Sequence, residues 1–125
     1  MSESKDYVSK TLENGTIQIS ADVVVSIATA AIREVEGVYG IGGRSSDFSR
    51  LTKKGVSRGI RVVISDENRV SIDCYVVVLY GYPVLQVAKS VQEAVISAVE
   101  STTGQTVRGV NVSISGITLP RSTKK

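Results

Sequence analysis

Histidine and tryptophan are absent from this chain; cysteine occurs once, at Cys74, and proline twice. Without histidine, the common nucleophile–base pairs lack their base, and nitrogen/sulfur metal sites lack most of their ligands. A lone cysteine excludes an intrachain disulfide and suits a reducing compartment. Its place inside an apolar strand pattern reads as a buried, inert thiol. Aromatics are scarce, at 5%. The longest apolar runs, Val23–Ile32 and Tyr75–Tyr80, are too short to cross a bilayer. The opening Met1-Ser-Glu-Ser-Lys-Asp lacks the charged-then-apolar order of a signal peptide. The expectation is a cytoplasmic protein with no direct membrane insertion.

What is present is Val, Ile and Ala, within a chain that is 42% hydrophobic. Val and Ile suit strands, and Ala suits helices lying close on a sheet. A chain of 125 residues fits one domain that removes roughly two-thirds of its unfolded surface from water. The net charge of +3 is unevenly spread. Arg44, Arg50, Lys53, Lys54 and Arg58 face a single carboxylate, Asp47, within one segment. The basicity thus belongs to that loop and to the tail carrying Arg121, Lys124 and Lys125.

Along the chain, residues 1–13 are polar and without period, which predicts a flexible tail, and the domain is expected over 14–119. Thr16–Ser20 alternates as a short strand, and Ser20 is placed to cap a helix running to about Glu36. Val24, Ile27, Ala28, Ala31, Ile32 and Val35 form its apolar stripe, and Gly37 stops it. Val38–Ile41 is a short strand before the basic loop, 42–58. Ile60, Val62 and Ile64 begin a hairpin that turns at Asp66-Glu67-Asn68 and returns through Val70, Ile72, Cys74, Val76 and Val78. Pro83 falls in the first turn of a helix over about 83–102, and Gly104 ends it. The last strand alternates through Val110, Val112 and Ile114, then changes phase at Gly116 to Ile117 and Leu119. A one-residue slip at a glycine predicts a β-bulge. A basic tail, 120–125, follows.

The order β-α-(β)-β-β-α-β predicts an α+β fold: a small mixed or antiparallel sheet with two helices packed on one face. A split βαβ arrangement is one candidate, with strand order left open.

No cluster in this pattern carries catalysis, a metal or a cofactor. Ser113-Ile-Ser115-Gly116 lacks the strand-to-helix context of a nucleophile elbow. Gly37, Gly40, Gly42 and Gly43 follow a helix and open a loop, the reverse of a phosphate cradle. The five loop cations suit phosphates or an acidic partner in a salt-dependent, sequence-blind way. Phe48 alone is interleaved with them, so base stacking is weak. One anomaly remains. The outer face of the returning hairpin strand begins polar, at Ser71 and Asp73, then turns apolar at Tyr75, Val77 and Leu79, with Val63 beside them if the register allows. A sheet facing water stays polar there. These four residues are the candidate interaction site.

Several segments together resemble the alkaline shock protein family of Gram-positive bacteria. They are Gly15-Thr-Ile-Gln-Ile-Ser20, Glu34-Val-Glu-Gly-Val38, Val70-Ser-Ile-Asp-Cys-Tyr-Val-Val-Val-Leu-Tyr-Gly81, Val87-Ala-Lys-Ser-Val-Gln-Glu-Ala-Val95, Thr103-Gly104 and Val110-Asn-Val-Ser-Ile-Ser-Gly-Ile117. The resemblance implies a non-enzymatic protein of stress response and cell-envelope homeostasis. In that family some members self-associate and are held at the membrane by a partner with its own transmembrane helix. Others are encoded near genes of fatty-acid metabolism. The family carries no established catalytic residues to transfer. Two departures stand out: Pro83 directly follows Gly81-Tyr82, where relatives have a longer turn, and Ser113 replaces a frequent His. The expected function is a self-associating scaffold or docking module, a homo-oligomer with a membrane-anchored protein partner. The alternative is a nucleic-acid-binding or metabolic regulator acting through the basic loop.

Overall fold

In the computed structural model, which describes residues 6–42, 56–57 and 59–119, two strands precede the first helix: β1 (Tyr7–Leu12), β2 (Gly15–Ser20) and α1 (Ala21–Arg33). Then come β3 (Val38–Ile41), β4 (Val56–Ser57), β5 (Ile60–Ile64), β6 (Val70–Leu79), α2 (Val84–Thr103) and β7 (Val107–Thr118). This is an α+β fold with both helices on one face of the main sheet.

The longest alternating run, β6, is the central strand. β5 pairs antiparallel with its first half, from Val70↔Ile64 to Cys74↔Ile60, and β3 pairs antiparallel with its second half, Val76 to Val78. β7 runs parallel to β6 along its whole length on the opposite edge. β3 and β5 therefore share one edge of β6, end to end, and β4 extends β5 outward. The hairpin turn closes through Asn68, left-handed at φ 62, whose amide donates to the Ser65 carbonyl. The Ser65 hydroxyl accepts from the amides of Glu67 and Arg69.

Alternation puts Val70, Ile72, Cys74, Val76 and Val78 on the helix side, all buried. α1 meets them with Val24, Val25, Ala28 and Ile32, and α2 with Val87, Val91, Val95 and Val99. The Ser20 hydroxyl caps α1 by accepting the Asp22 amide at 3.1 Å. Gly104, at φ 74, ends α2 in the left-handed conformation that L side chains disfavour.

Four features depart from the sequence expectation. Part of the expected tail is a strand: residues 7–12 pair with β2 from Tyr7↔Ser20 to Leu12↔Gly15. Val8 enters the core, and Asn68 clamps Ser9 by two hydrogen bonds, 3.0 and 3.2 Å. Because β2 pairs with β1 and not with the main sheet, and β7 lies directly beside β6, the split βαβ arrangement does not form. α1 stops at Arg33, since the amides of Glu34 and Val35 reach back only three residues, to Ala31 and Ile32. Pro83 is the residue before α2, not within its first turn. The bulge at Gly116 is present: β6 pairs Val76 with Ile114 and Val77 with Gly116, leaving Ser115 as the extra residue.

Candidate interaction face

The sheet face turned away from the helices is built from the odd-numbered residues of β6, and it divides into two zones. The lower zone is a polar row across three strands. Asp73 accepts from Asn111 Nδ2 at 2.8 Å and pairs with Arg61 Nη2 at 3.5 Å. The ion pair is exposed enough to contribute little on its own. Above it stand Tyr75, Val77 and Leu79, all half-buried. Val63 shares the outer face but lies opposite Ser71. The Arg61–Asp73 row separates it from Tyr75, so the structure does not gather it with the other three.

The flanks of this apolar zone are the unexpected part. Val77 has Gly40 as its neighbour on β3 and Gly116 as its neighbour on β7. A Cβ added to Gly40 would meet nothing within 4 Å, and one on Gly116 would only touch Val77 Cγ2 at 4.0 Å. Leu79 lies between Gly37, whose carbonyl accepts its amide, and Thr118. Tyr75 lies between Gly59 and Gly42 on one edge, bonded through both backbones, and Ser113 on the other. The three side chains thus form a ridge whose middle residue, Val77, has glycine on both sides, with Tyr39, 63% exposed, in the adjoining β3 bulge. A flat apolar ridge of this kind admits another main chain closely.

Two bulges produce the arrangement. One sits in β3 between Val38 and Gly40, the other in β7 at Ser115, on either side of Val77. Ser115 donates its hydroxyl to the Gly42 carbonyl at 2.7 Å, tying β7 to the end of β3 across β6. Sequence reading located the ridge and the β7 bulge. It missed the glycine flanks, because those need the register of β3 and β7 against β6.

The candidate acidic-partner residues Arg44, Arg50, Lys53, Lys54 and Arg58 lie outside the described residues. The chain leaves and re-enters the described fold at Gly42 and Gly59, beside Tyr75. A Cβ on Gly59 would stand 2.6 Å from Gly42 N, so those two backbones touch.

Other chemistry is sparse. Burial, with the charge of Asp73 adding to it, pushes the Cys74 thiol up to about 12, so it stays protonated at ordinary pH. Among the described residues no group of His, Cys, Asp or Glu could hold a metal ion, and no helix is long and apolar enough to cross a membrane. An open groove of about 630 Å³ runs between the end of α1 and the start of α2, past Glu36, Tyr82, Pro83 and Glu93. Its walls mix apolar side chains, Val35, Tyr82 and Val87 among them, with polar and acidic ones, Gln86, Glu36 and Glu93.

The chain as a whole is similar to known proteins. An uncharacterised protein of Streptococcus pyogenes is 34% identical over 109 residues, covering 84% of this chain and 89% of its own length. The uncharacterised protein YloU of Bacillus subtilis is 33% identical over 107 residues, covering 82% and 88%. Among solved structures, MamM CTD is similar at 20% identity with a TM-score of 0.47, covering 75% of this chain and 94% of that one. Residues 9–119 match a family described by its cell envelope-related function, the alkaline shock protein 23 family. The chain belongs to that family.

Proposed function

We propose that this protein is a non-enzymatic scaffold of cell-envelope homeostasis, working by self-association and by docking a protein partner through the Tyr75–Val77–Leu79 ridge. The glycine-flanked ridge carries the reading. Its three apolar side chains occupy a face that is polar one row below, and its flanks leave the backbone approachable. Envelope association then comes from the partner, since no described helix spans a membrane.

The test is light scattering on the full chain over a concentration series, with Val77→Asp as the variant. A desolvated carboxylate at the middle of the ridge disfavours any contact made there. The wild type is expected to form assemblies that grow with concentration, and Val77→Asp to stop at a smaller species with unchanged circular dichroism. A wild type that stays monomeric throughout, or a variant that associates as well as the wild type, would contradict the proposal.

A further inference from the structure

The edge of β7 facing away from β6 is a twelve-residue strand with no described strand beside it. Exposed edges are normally guarded by Lys, Pro or inward-pointing charge. In β7 the one charged residue is Arg108, near its start, and Val110–Leu119 has none. Its exposed apolar groups lie here too: Ile117 is 51% exposed and Leu119 63%. Leu85, 72% exposed, adds to the same flank. It lies two helical turns before Gln92, whose side chain bonds the Val110 carbonyl of β7.

The segment is also self-complementary. About the bulge, Val112-Ser113-Ile114-Ser115 is followed by Gly116-Ile117-Thr118-Leu119, so apolar and polar positions mirror one another. In an antiparallel pair of two copies of this strand, Val112 stands opposite Leu119, Ser113 opposite Thr118, and Ile114 opposite Ile117. Val112, Ile114, Ile117 and Leu119 share the helix side, while Ser113 and Thr118 share the outer side, because the bulge shifts the phase once. Without it, this pairing would set apolar positions against polar ones.

The backbone groups agree with the side chains. The Thr118 carbonyl accepts from Tyr80, so it points to β6, and alternation turns Ile117 and Leu119 outward. The Val70 amide donates to the Thr106 carbonyl, so even-numbered β6 residues face β7. Opposite Ile72, the Val110 carbonyl turns away and accepts the Gln92 side chain, and alternation turns Val112 and Ile114 outward too. The outward-pointing residues are therefore those that face each other in the pair. Ser113 and Thr118 form the non-hydrogen-bonded pair between them.

We infer that two copies of this chain join β7 to β7 about a twofold axis passing between Ser115 and Gly116, making one sheet continuous across both. This deepens, and rests on, the proposed self-association. It gives that reading a closed dimer in which the two Tyr75–Val77–Leu79 ridges share one face. The mirrored pattern favours a second copy over a foreign strand, since only a copy meets each apolar position with its mate.

Register-specific disulfide trapping tests it. Opposite residues of a non-hydrogen-bonded pair lie about 4.5 Å apart at Cα, within disulfide reach. Ser113 and its own symmetry mate are five positions apart along the strands, about 16 Å. Mixed Ser113→Cys and Thr118→Cys chains should cross-link under mild oxidation about tenfold more than either chain alone. Native Cys74 is buried and common to both, so it does not create the difference. Equal cross-linking of the single variants, or none in the mixture, would overturn the pairing. Ile117→Lys, a substitution at an exposed position, should abolish the cross-link; its persistence would equally count against the pairing. The pairing does not use Val77, so the cross-link should survive Val77→Asp. Survival with loss of larger assemblies supports both readings. Survival with assemblies unchanged removes the outer-face reading and leaves the edge, and loss of the cross-link in that background overturns the edge pairing.

Discussion

At the residue scale, Cys74 and Gly59 show how little of the interior is available for chemistry. The Cys74 thiol is raised from 9.0 to about 12 by burial and by Asp73. Since the folded state holds this proton longer than the unfolded state, the associated stability is intact below pH 9 and declines as pH rises toward 12. The expected slope is up to about 1.4 kcal/mol per pH unit in that window, read as the difference between wild type and Cys74→Ala in urea titrations. In the same experiment the native thiol should resist a thiol reagent near pH 8 and react only on unfolding. Gly59 has a different constraint. At φ +83 and with Gly42 backbone atoms 2.6 and 2.7 Å from an added Cβ, it cannot accept a side chain without parting β3 from β5. Gly59→Ala should cost about 2–4 kcal/mol, measured as a lower denaturation midpoint.

At the element scale, the hairpin of β1 and β2 stands apart from the main sheet, with Leu12 and Ile17 exposed. Such a two-stranded unit is marginal without tertiary support. Its described anchors are Val8 in the core, the Asp6 carbonyl accepting the Ala21 amide, and the Asn68 clamp on Ser9. Asn68→Gly keeps the left-handed turn and removes the clamp. Hydrogen exchange in β1 and β2 should accelerate by about tenfold while the global unfolding free energy falls by less than ~1 kcal/mol.

The elements also show what was legible in the sequence. Period and punctuation disclosed both helices, the hairpin turn at Asn68 and the phase change at Gly116, because each is a local signal. β1 escaped because Tyr7–Leu12 carries only Val8 to the core, and a strand with one buried side chain shows no period. The order of β3, β5, β6 and β7 escaped because pairing depends on residues far apart in sequence. For the same reason the ridge residues were visible, as an apolar break in a polar face. Their glycine flanks, and the distance of Val63 from them, were not.

At the scale of the whole molecule, the two faces of the sheet have different tasks. The helix side holds the buried Val, Ile and Cys74 and accounts for stability. The outer side holds the half-buried Tyr75, Val77 and Leu79, and the end of β7 the exposed Ile117 and Leu119. On the proposed reading, this outer surface works by protein–protein contact. Sedimentation velocity of the wild type and of Val77→Asp, over the same concentration range, addresses it most directly. The expected result is a wild type whose mean sedimentation coefficient rises with concentration beyond a dimer, and a Val77→Asp chain that levels off at the dimer. Superimposable profiles for the two chains, or a wild type that sediments as a monomer at every concentration, would contradict it.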